Sequence, residues 1–549
     1  MRLLFHFTYQ SSVGQNRIVK GNTNTDQESN VVNSLTKAYL TATLPAVLTD
    51  ARGLTASVLA AVVMIVLSTF PGAASAATVT LSPGANIQSS VNSHPPGTTF
   101  VLKPGTYRGQ SVTSLKNGDS FIGQKGADLN GAKVLTGWKS VFVRGVQYWT
   151  ASAGAPLSTP GCNAGSGVCC QPGYPGCIYV QDLYVSNSEY RHVTSLSNVV
   201  SNTWYYAYDS GDGAIRNNVY LRNNPAGKTV ELGAKNYAFS DSASNITIKN
   251  LTIEKYAPPL QFAAVEPQGP NWLIQNNEVR LNHAWGIKAM SGGDNAQIRN
   301  NNVHDNGEDG IGTGGSEGGV IDSNTIVHNN VNNVMQGFEG GGTKFSGDNL
   351  MVSNNIVHDN IGVGLHADAG ATHITFNHNT VYNNQGCGIR YEVSRYGTIE
   401  NNTAYGNGLS GIGACGAQIT YTGSDHGRIT GNKVIDGGTG GIRIYNTVGT
   451  KPFGQTVYKV TDTRVTGNTI VVSNKASDIA SGLIDTAKPL QPSIFTDRTN
   501  VWANNIYQIS GTPWTNKSWN WGENAAHAKP VNWSTWLLIH AAGELLRLN

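Results

Sequence analysis

From about residue 245 onward one pattern returns along the chain: a short aliphatic strand, an asparagine, one residue, an aliphatic residue and a polar turn. It reads WLIQNNEVRLN, AQIRNNNVHDN, GVIDSNTIVHNN, LMVSNNIVHDN, HITFNHNTVYNN, GTIENNTAYGN, GRITGNKVIDG and TRVTGNTIVVSN. The matching asparagines are Asn277, Asn301, Asn324, Asn355, Asn379, Asn402, Asn432 and Asn468, at steps of 24, 23, 31, 24, 23, 30 and 36 residues. The short steps define a unit, and the longer ones are units with insertions.

A helical repeat would show a 3.6-residue period and Ala, Leu and Glu in quantity. These units instead carry runs of β-formers cut by Gly and Asn, which predicts short strands with several turns per unit. A unit of this length with three short strands makes one coil of a parallel β-helix. Each strand then bonds to its counterparts in the coils above and below, about 4.8 Å away, and the aliphatic side chains stack inside as a column. The recurrent Asn becomes a ladder, because its amide both donates and accepts and its backbone tolerates tight turns. A β-propeller fits less well, since its blades run to about 40 residues with aromatic signatures. Upstream, a short amphipathic helix over Ile87–Val91 is predicted to cap the open end of the core, followed by a strand in TTFVLKPG.

The coils also align on a Gly-aliphatic pair: WGIKAMSGG, DGIGTGGSE, QGFEGGGTK, VGLHADAGA, CGIRYEVSR, SGIGACGAQ and GGIRIYNTV. Strand alternation sends the aliphatic residue (Ile287, Ile311, Phe338, Leu365, Ile389, Ile412, Ile442) inward and its successor outward. One outward column then reads Lys288, Gly312, Glu339, His366, Arg390, Gly413 and Arg443; the next reads Met290, Gly314, Gly341, Asp368, Glu392, Cys415 and Tyr445. Three adjacent coils thus place Glu339, His366, Asp368, Arg390 and Glu392 on one exposed face, with Lys344 following in a Gly-rich loop. Residues i and i+2 along a strand are about 6.5–7 Å apart, within the range over which two carboxyl groups flank a glycosidic bond.

Composition sharpens this. Only 13% of the residues are charged and the formal net charge is +3, which argues against nucleic-acid binding. A charge-poor chain that gathers several charges on one face points to a site; a plain ladder of surface salt bridges is the alternative, and such pairs stabilise little. The predicted catalytic carboxylates are Glu339, Asp368 and Glu392, with Lys288, Lys344, His366 and Arg390 binding substrate. No metal ligand set is assigned and no cofactor is required, although Ca²⁺ is admissible. Glu308 and Asp309 border the same face, as groove residues or calcium ligands. His304-Asp305, His358-Asp359 and His328 recur at one phase of the repeat and are read as turn residues rather than a metal site.

Residues 54–76 form an apolar run ending in Ala74-Ser75-Ala76, the A-x-A form of a signal-peptidase site, so secretion with a mature start near Ala77 is expected over a membrane anchor. The polar, patternless residues 1–53 are read as a disordered leader or an upstream start. Six cysteines fit an exported protein. Cys162, Cys169, Cys170 and Cys177 are expected to staple a Gly/Pro-rich surface loop, with connectivity open. Cys387 and Cys415 fall at different phases of the repeat, so no bridge between them is expected.

The asparagine-ladder repeat, with the opening IQSSVNSHPPGTTFVLKPGTYR, resembles the right-handed parallel β-helix, or pectin-lyase-like, superfamily over roughly residues 78–510. The resemblance implies an all-β right-handed parallel β-helix solenoid: cap and first coils with a Cys-rich loop over 77–245, Asn-ladder repeats over 246–510, and a Trp-rich cap over 511–549. The segment 202–232 is similar to a strand-rich segment that precedes the repeats in some carbohydrate-active members. Lyases, glycosidases, epimerases, esterases and phage adhesins share this fold, so activity must come from the site. Acids mixed with His, Arg and Lys resemble a polygalacturonase-type site, but that family's Gly-His-Gly and Arg-Ile-Lys strand motifs are missing and its roles do not carry over. The first expectation is a secreted, monomeric glycoside hydrolase acting on a polysaccharide by carboxylate acid/base catalysis. A polysaccharide lyase or uronate epimerase, and a non-catalytic surface or adhesion protein, are the alternatives.

Overall fold

The computed structural model describes residues 77–157, 170–337, 339–408, 415–435, 440–447, 457–473, 479–510, 519–522, 530–540 and 543–548. The expected leader (1–53) and expected signal segment (54–76), with Cys162, Cys169, Phe338, Ile412 and Gly413, lie outside the described residues. Among the described residues no helix is long and apolar enough to cross a membrane.

Three long sheets run the length of the chain, two of 13 strands and one of 12, and successive coils contribute one strand to each. Pairing within them is parallel, apart from the antiparallel end pair Trp519–Gly522 with Pro530–Val531. This is the parallel β-helix that the repeat predicts. The predicted cap is helix α1 (Ile87–Ser93), whose Ile87 and Val91 are buried and whose N-cap Asn86 accepts from the Ser89 N–H. At the other end, helix α2 (Trp533–Ile539) packs Trp536 against Trp502, Trp519 and Trp521.

The asparagine ladder is present. Asn355 Nδ2 donates to Asn379 Oδ1 at 3.0 Å, and Asn379 Nδ2 to Asn402 Oδ1 at 3.0 Å. Each amide also donates to a strand carbonyl and accepts a backbone N–H from the coil before, so all its buried polar capacity is used. A second ladder runs five residues further on, through Asn282, Asn306, Asn329, Asn360, Asn384 and Asn407. The residue before each of these Asn turns the chain: Asp305, His328 and Asp359 have φ of 54°, so the recurring His-Asp pairs belong to a turn.

The strands that carry the charged face are β1 (Trp285–Met290), β2 (Ile311–Glu317), β3 (Thr343–Asp348), β4 (Leu365–Ala367), β5 (Ile389–Glu392), β6 (Ile419–Thr422) and β7 (Ile442–Asn446). Register corrects the alignment in two coils. Ile311 pairs with Thr343 and Gly312 with Lys344, so Lys344 and not Glu339 stands in the outward column; Glu339 lies in the loop before β3. Ile389 pairs with Ile419, so the strand of the sixth coil is ITYT and Thr420 and Thr422 occupy its outward places. That shift brings Cys387 and Cys415 into neighbouring turns, and they form a disulfide with Cα atoms 4.8 Å apart. The expectation of no bridge there is therefore wrong.

Between the first coils and the repeats, residues 132–233 build an eight-stranded, mainly antiparallel sheet with its own core of Tyr190, Trp204, Tyr206 and Leu221. This insert docks on the solenoid through Arg108–Glu231 at 2.5 Å, Lys255–Glu231 at 2.6 Å and His283–Asp182 at 2.9 Å.

Candidate active site

The sequence-derived site residues come together. Inward Leu365 and Ile389 are fully buried in the core, which fixes β4 and β5 so that His366 and Arg390 project side by side from the outer face. Asp368 follows two residues after His366, and Glu392 two after Arg390. One donor atom from each of His366, Asp368 and Glu392 lies within 4.8 Å of the other two.

Two cations organise the acids. Lys344 Nζ lies 2.8 Å from Glu339 and 3.3 Å from Asp368. Arg390 Nη2 lies 2.8 Å from Glu392, while its Nη1 donates to the Gly337 carbonyl in the loop before β3. Glu339 thus joins the site from that loop, although its expected strand position was wrong. Lys288 is drawn in as well, its Nζ donating to the Gln261 carbonyl and lying 4.1 Å over the Trp285 ring. Trp285 occupies space above Gly312: a Cβ there would stand 1.9 Å from the indole, so the glycine is a packing requirement. Alignment alone missed this; the signal was a large aromatic directly before the Gly-Ile pair of one coil.

The face is not the open one expected from strand alternation. Asp368 is 7% exposed, Glu392 8%, Glu339 6% and His366 3%. Insertions the repeat pattern does not describe, chiefly the loop before β3, contact this face. Burial changes the electrostatics. It works against the charge of Lys344, but Glu339 and Asp368 overcome it and hold that ammonium above the ordinary lysine range. Burial pulls Lys288 down, against the pull of Glu339. It also lowers His366, which is neutral at pH 7. Burial and the nearby Glu339 raise Glu308 to about 7; burial and the neighbouring Glu308 raise Asp309 well above the carboxylate range. Both Asp309 oxygens are buried without a hydrogen-bond partner.

Chemically, the arrangement offers two close carboxylates, a neutral imidazole beside one of them, and cations that hold charge in place. His366, Asp368 and Glu392 are also the one His/Cys/Asp/Glu group among the described residues spaced to hold a metal ion. Lys344 and Arg390 already balance two of those three donors.

The family model described as a right handed beta helix region matches residues 263–427 and 370–488. No curated protein matches the sequence. Among solved structures, the complex of XylC with xylose superposes with a TM-score of 0.51 at 13% identity, covering 78% of this chain and 83% of that one. The A-module of the mannuronan C-5 epimerase AlgE6 of Azotobacter vinelandii gives 0.48 at 14% identity, covering 84% and 93%. The XylC superposition, with the family match, shows the right-handed β-helix fold and nothing finer.

Proposed function

We propose that the protein is a carbohydrate-active enzyme, a glycoside hydrolase that retains anomeric configuration. The observation that carries this reading is the pair Asp368 and Glu392, on adjacent coils with carboxylate oxygens within 4.8 Å. Retaining enzymes set their two carboxyl groups about 5–5.5 Å apart, whereas inverting ones leave about 6.5–9.5 Å for a water.

The surroundings divide the roles. A nucleophile must stay ionised: Asp368 accepts from the Ala369 N–H at 2.7 Å and lies beside Lys344, a cation held charged. An acid/base must gain and lose a proton each cycle, and Glu392 has beside it the imidazole of His366, which burial keeps from carrying a positive charge. In this reading Asp368 attacks the anomeric carbon while Glu392 protonates the leaving oxygen. Glu392 then takes a proton from the water that hydrolyses the glycosyl-enzyme. Arg390 orients Glu392; Glu339, Lys344 and Lys288 contact the substrate. No metal or other cofactor enters these steps, so a chelator should leave activity intact.

The column Lys344–His366–Arg390 favours a second reading. A neutral histidine between two cations suits proton abstraction α to a sugar carboxylate, the first step of a polysaccharide lyase or uronate epimerase. The deciding experiment assays the purified protein on aryl glycosides, with a xyloside among them, and on neutral and acidic polysaccharides. A first product with the substrate's anomeric configuration supports the hydrolase. An unsaturated, ultraviolet-absorbing product, or epimerisation without cleavage, supports the second reading. Inactivity on the whole panel would favour a binding protein. Either enzyme would act outside the cell, and N-terminal sequencing of protein exported by its native host should begin near Ala77.

A further inference from the structure

The insert and the solenoid meet along the turns that precede β1–β3. Tyr184 Oη donates to the Leu281 carbonyl at 2.5 Å, and His283 Nδ1 lies 2.9 Å from Asp182. The loop over residues 170–177 is closed by a Cys170–Cys177 disulfide and held down where Cys170 pairs with Val334 and the Gln171 N–H donates to the Asn333 carbonyl. So the described part of the Cys-rich segment, residues 170–177, is stapled by a disulfide and joins insert to solenoid.

These contacts frame an open cavity of about 410 Å³. Tyr174, Glu189 and Arg191 line it from the insert; Asp305, His328 and Asn332 line it from the solenoid. None of the six belongs to the catalytic arrangement. The volume falls within the roughly 300–1,000 Å³ of small-molecule sites. Both walls are fastened by the bonds above, so the cavity is pre-formed and binding does not have to order it.

We propose that this cavity is a second carbohydrate-binding site, taking a neutral mono- or disaccharide unit. Its polar groups are planar and of both signs. Arg191 donates, Asn332 donates toward Asp182 and the His283 carbonyl, Asp305 lies against His304 and His328, and Glu189, held well above the usual carboxylate range by burial and by Asp182, offers a carboxyl group. A simple anion would meet two acids, and a simple cation would meet Arg191 and His328. A sugar hydroxyl both donates and accepts, so a ring with several hydroxyls can satisfy such a mixture at once. Tyr174, whose ring lies 5.7 Å beneath the Arg191 guanidinium, together with Leu281 and Val331, adds apolar surface for the C–H face of a pyranose. The ligand class is read from the cavity's own groups and does not depend on the catalytic assignment.

Calorimetric titration of xylose, glucose, galactose, xylobiose and cellobiose into the intact protein and into three variants tests it: Arg191→Ala, Glu189→Gln and Glu392→Gln. At least one sugar should bind wild type and Glu392→Gln alike. Arg191→Ala should weaken that binding about tenfold or more, the loss of one hydrogen bond to a charged group, and Glu189→Gln should weaken it less, with turnover unchanged in both. Arg191 is exposed, so its variant should melt normally and decides the question alone if Glu189→Gln fails to fold. The proposal is overturned if none of the five sugars binds, or if Arg191→Ala binds them as wild type does. Binding that is sensitive to Arg191 in a protein inactive on every substrate would sink the hydrolase and leave this site standing.

Discussion

His366 Nε2 lies 3.5 Å from Glu392 Oε2, one coil away along the solenoid, with the imidazole neutral because it is buried. That proximity separates the two carboxylates by function. Replacing Glu392 with Gln should cost about 10²–10⁴-fold on glycosides with poor leaving groups. Aryl glycosides with good leaving groups need no proton, so the variant should still form the glycosyl-enzyme and show a burst of released phenol. Asp368→Asn should show no burst on any substrate. Stopped-flow traces of both variants check this, and equal behaviour would contradict the assigned roles.

Burial makes Lys344 the most consequential side chain of the site for stability. Asp368→Asn leaves Lys344 paired with Glu339. Lys344→Met strands two nearly buried acids, Glu339 and Asp368, and breaking a buried pair from one side costs about 3–5 kcal/mol. Urea unfolding should therefore rank Lys344→Met well below Asp368→Asn. An exposed salt-bridge ladder would instead give changes of about 1 kcal/mol or less for both.

The ladder should be intolerant even of small changes. Removing the Asn355 amide strands the Asn324 N–H, takes one of two partners from Asn324 Nδ2 and from Asn379 Oδ1, and removes the side-chain donor to the Ile321 carbonyl, all in the interior. At about 1–3 kcal/mol for each unsatisfied group, Asn355→Ala should lose several kcal/mol, and Asn355→Leu, although apolar, should not restore it. Denaturant midpoints of the two variants test this.

Acid should weaken the insert through His192. Burial, with His283 nearby, lowers its pKa to about 3. The folded form therefore lacks a proton that the unfolded chain binds below about 6.5. Stability from this group is complete above that value and is lost as pH falls from about 6.5 toward about 3, at up to about 1.4 kcal/mol per pH unit. His192→Phe keeps a ring stacked on Trp204, at 4.1 Å in the wild type, and should flatten the decline of melting temperature between pH 6 and 4. His366 and His540 are lowered too, so part of the slope should remain.

The repeat could be read from the sequence because its chemistry is periodic: each coil needs the same Asn at the same turn, and Asn277 to Asn468 all serve there. The second ladder went unread because its asparagines stand among other polar turn residues, where composition does not distinguish a buried amide from a solvated one. Coils of regular length gave His366, Asp368, Arg390 and Glu392 correct places. Register failed where an insertion enlarged the coil: Phe338-Glu339 imitates the Gly-aliphatic-polar phrase, but the strand begins at Thr343. The same slip hid the Cys387–Cys415 bridge. Burial of the site was not legible, since it comes from loops and from long-range packing that no local period encodes.

The first ladder ends on a residue of different chemistry. Asn505 Nδ2 donates to Glu544 Oε1 at 2.8 Å, and Trp536 Nε1 donates to the other oxygen at 3.1 Å. Every asparagine relays the chain, accepting from one coil and donating to the next. A carboxylate only accepts, so Glu544 receives the relay and passes nothing on. In polymer terms it is a chain terminator: a coil from a second molecule arriving at this end would find no amide to extend and a charge it cannot cover. An asparagine ladder can in principle grow without limit, and among the described residues this one is closed by a single acid.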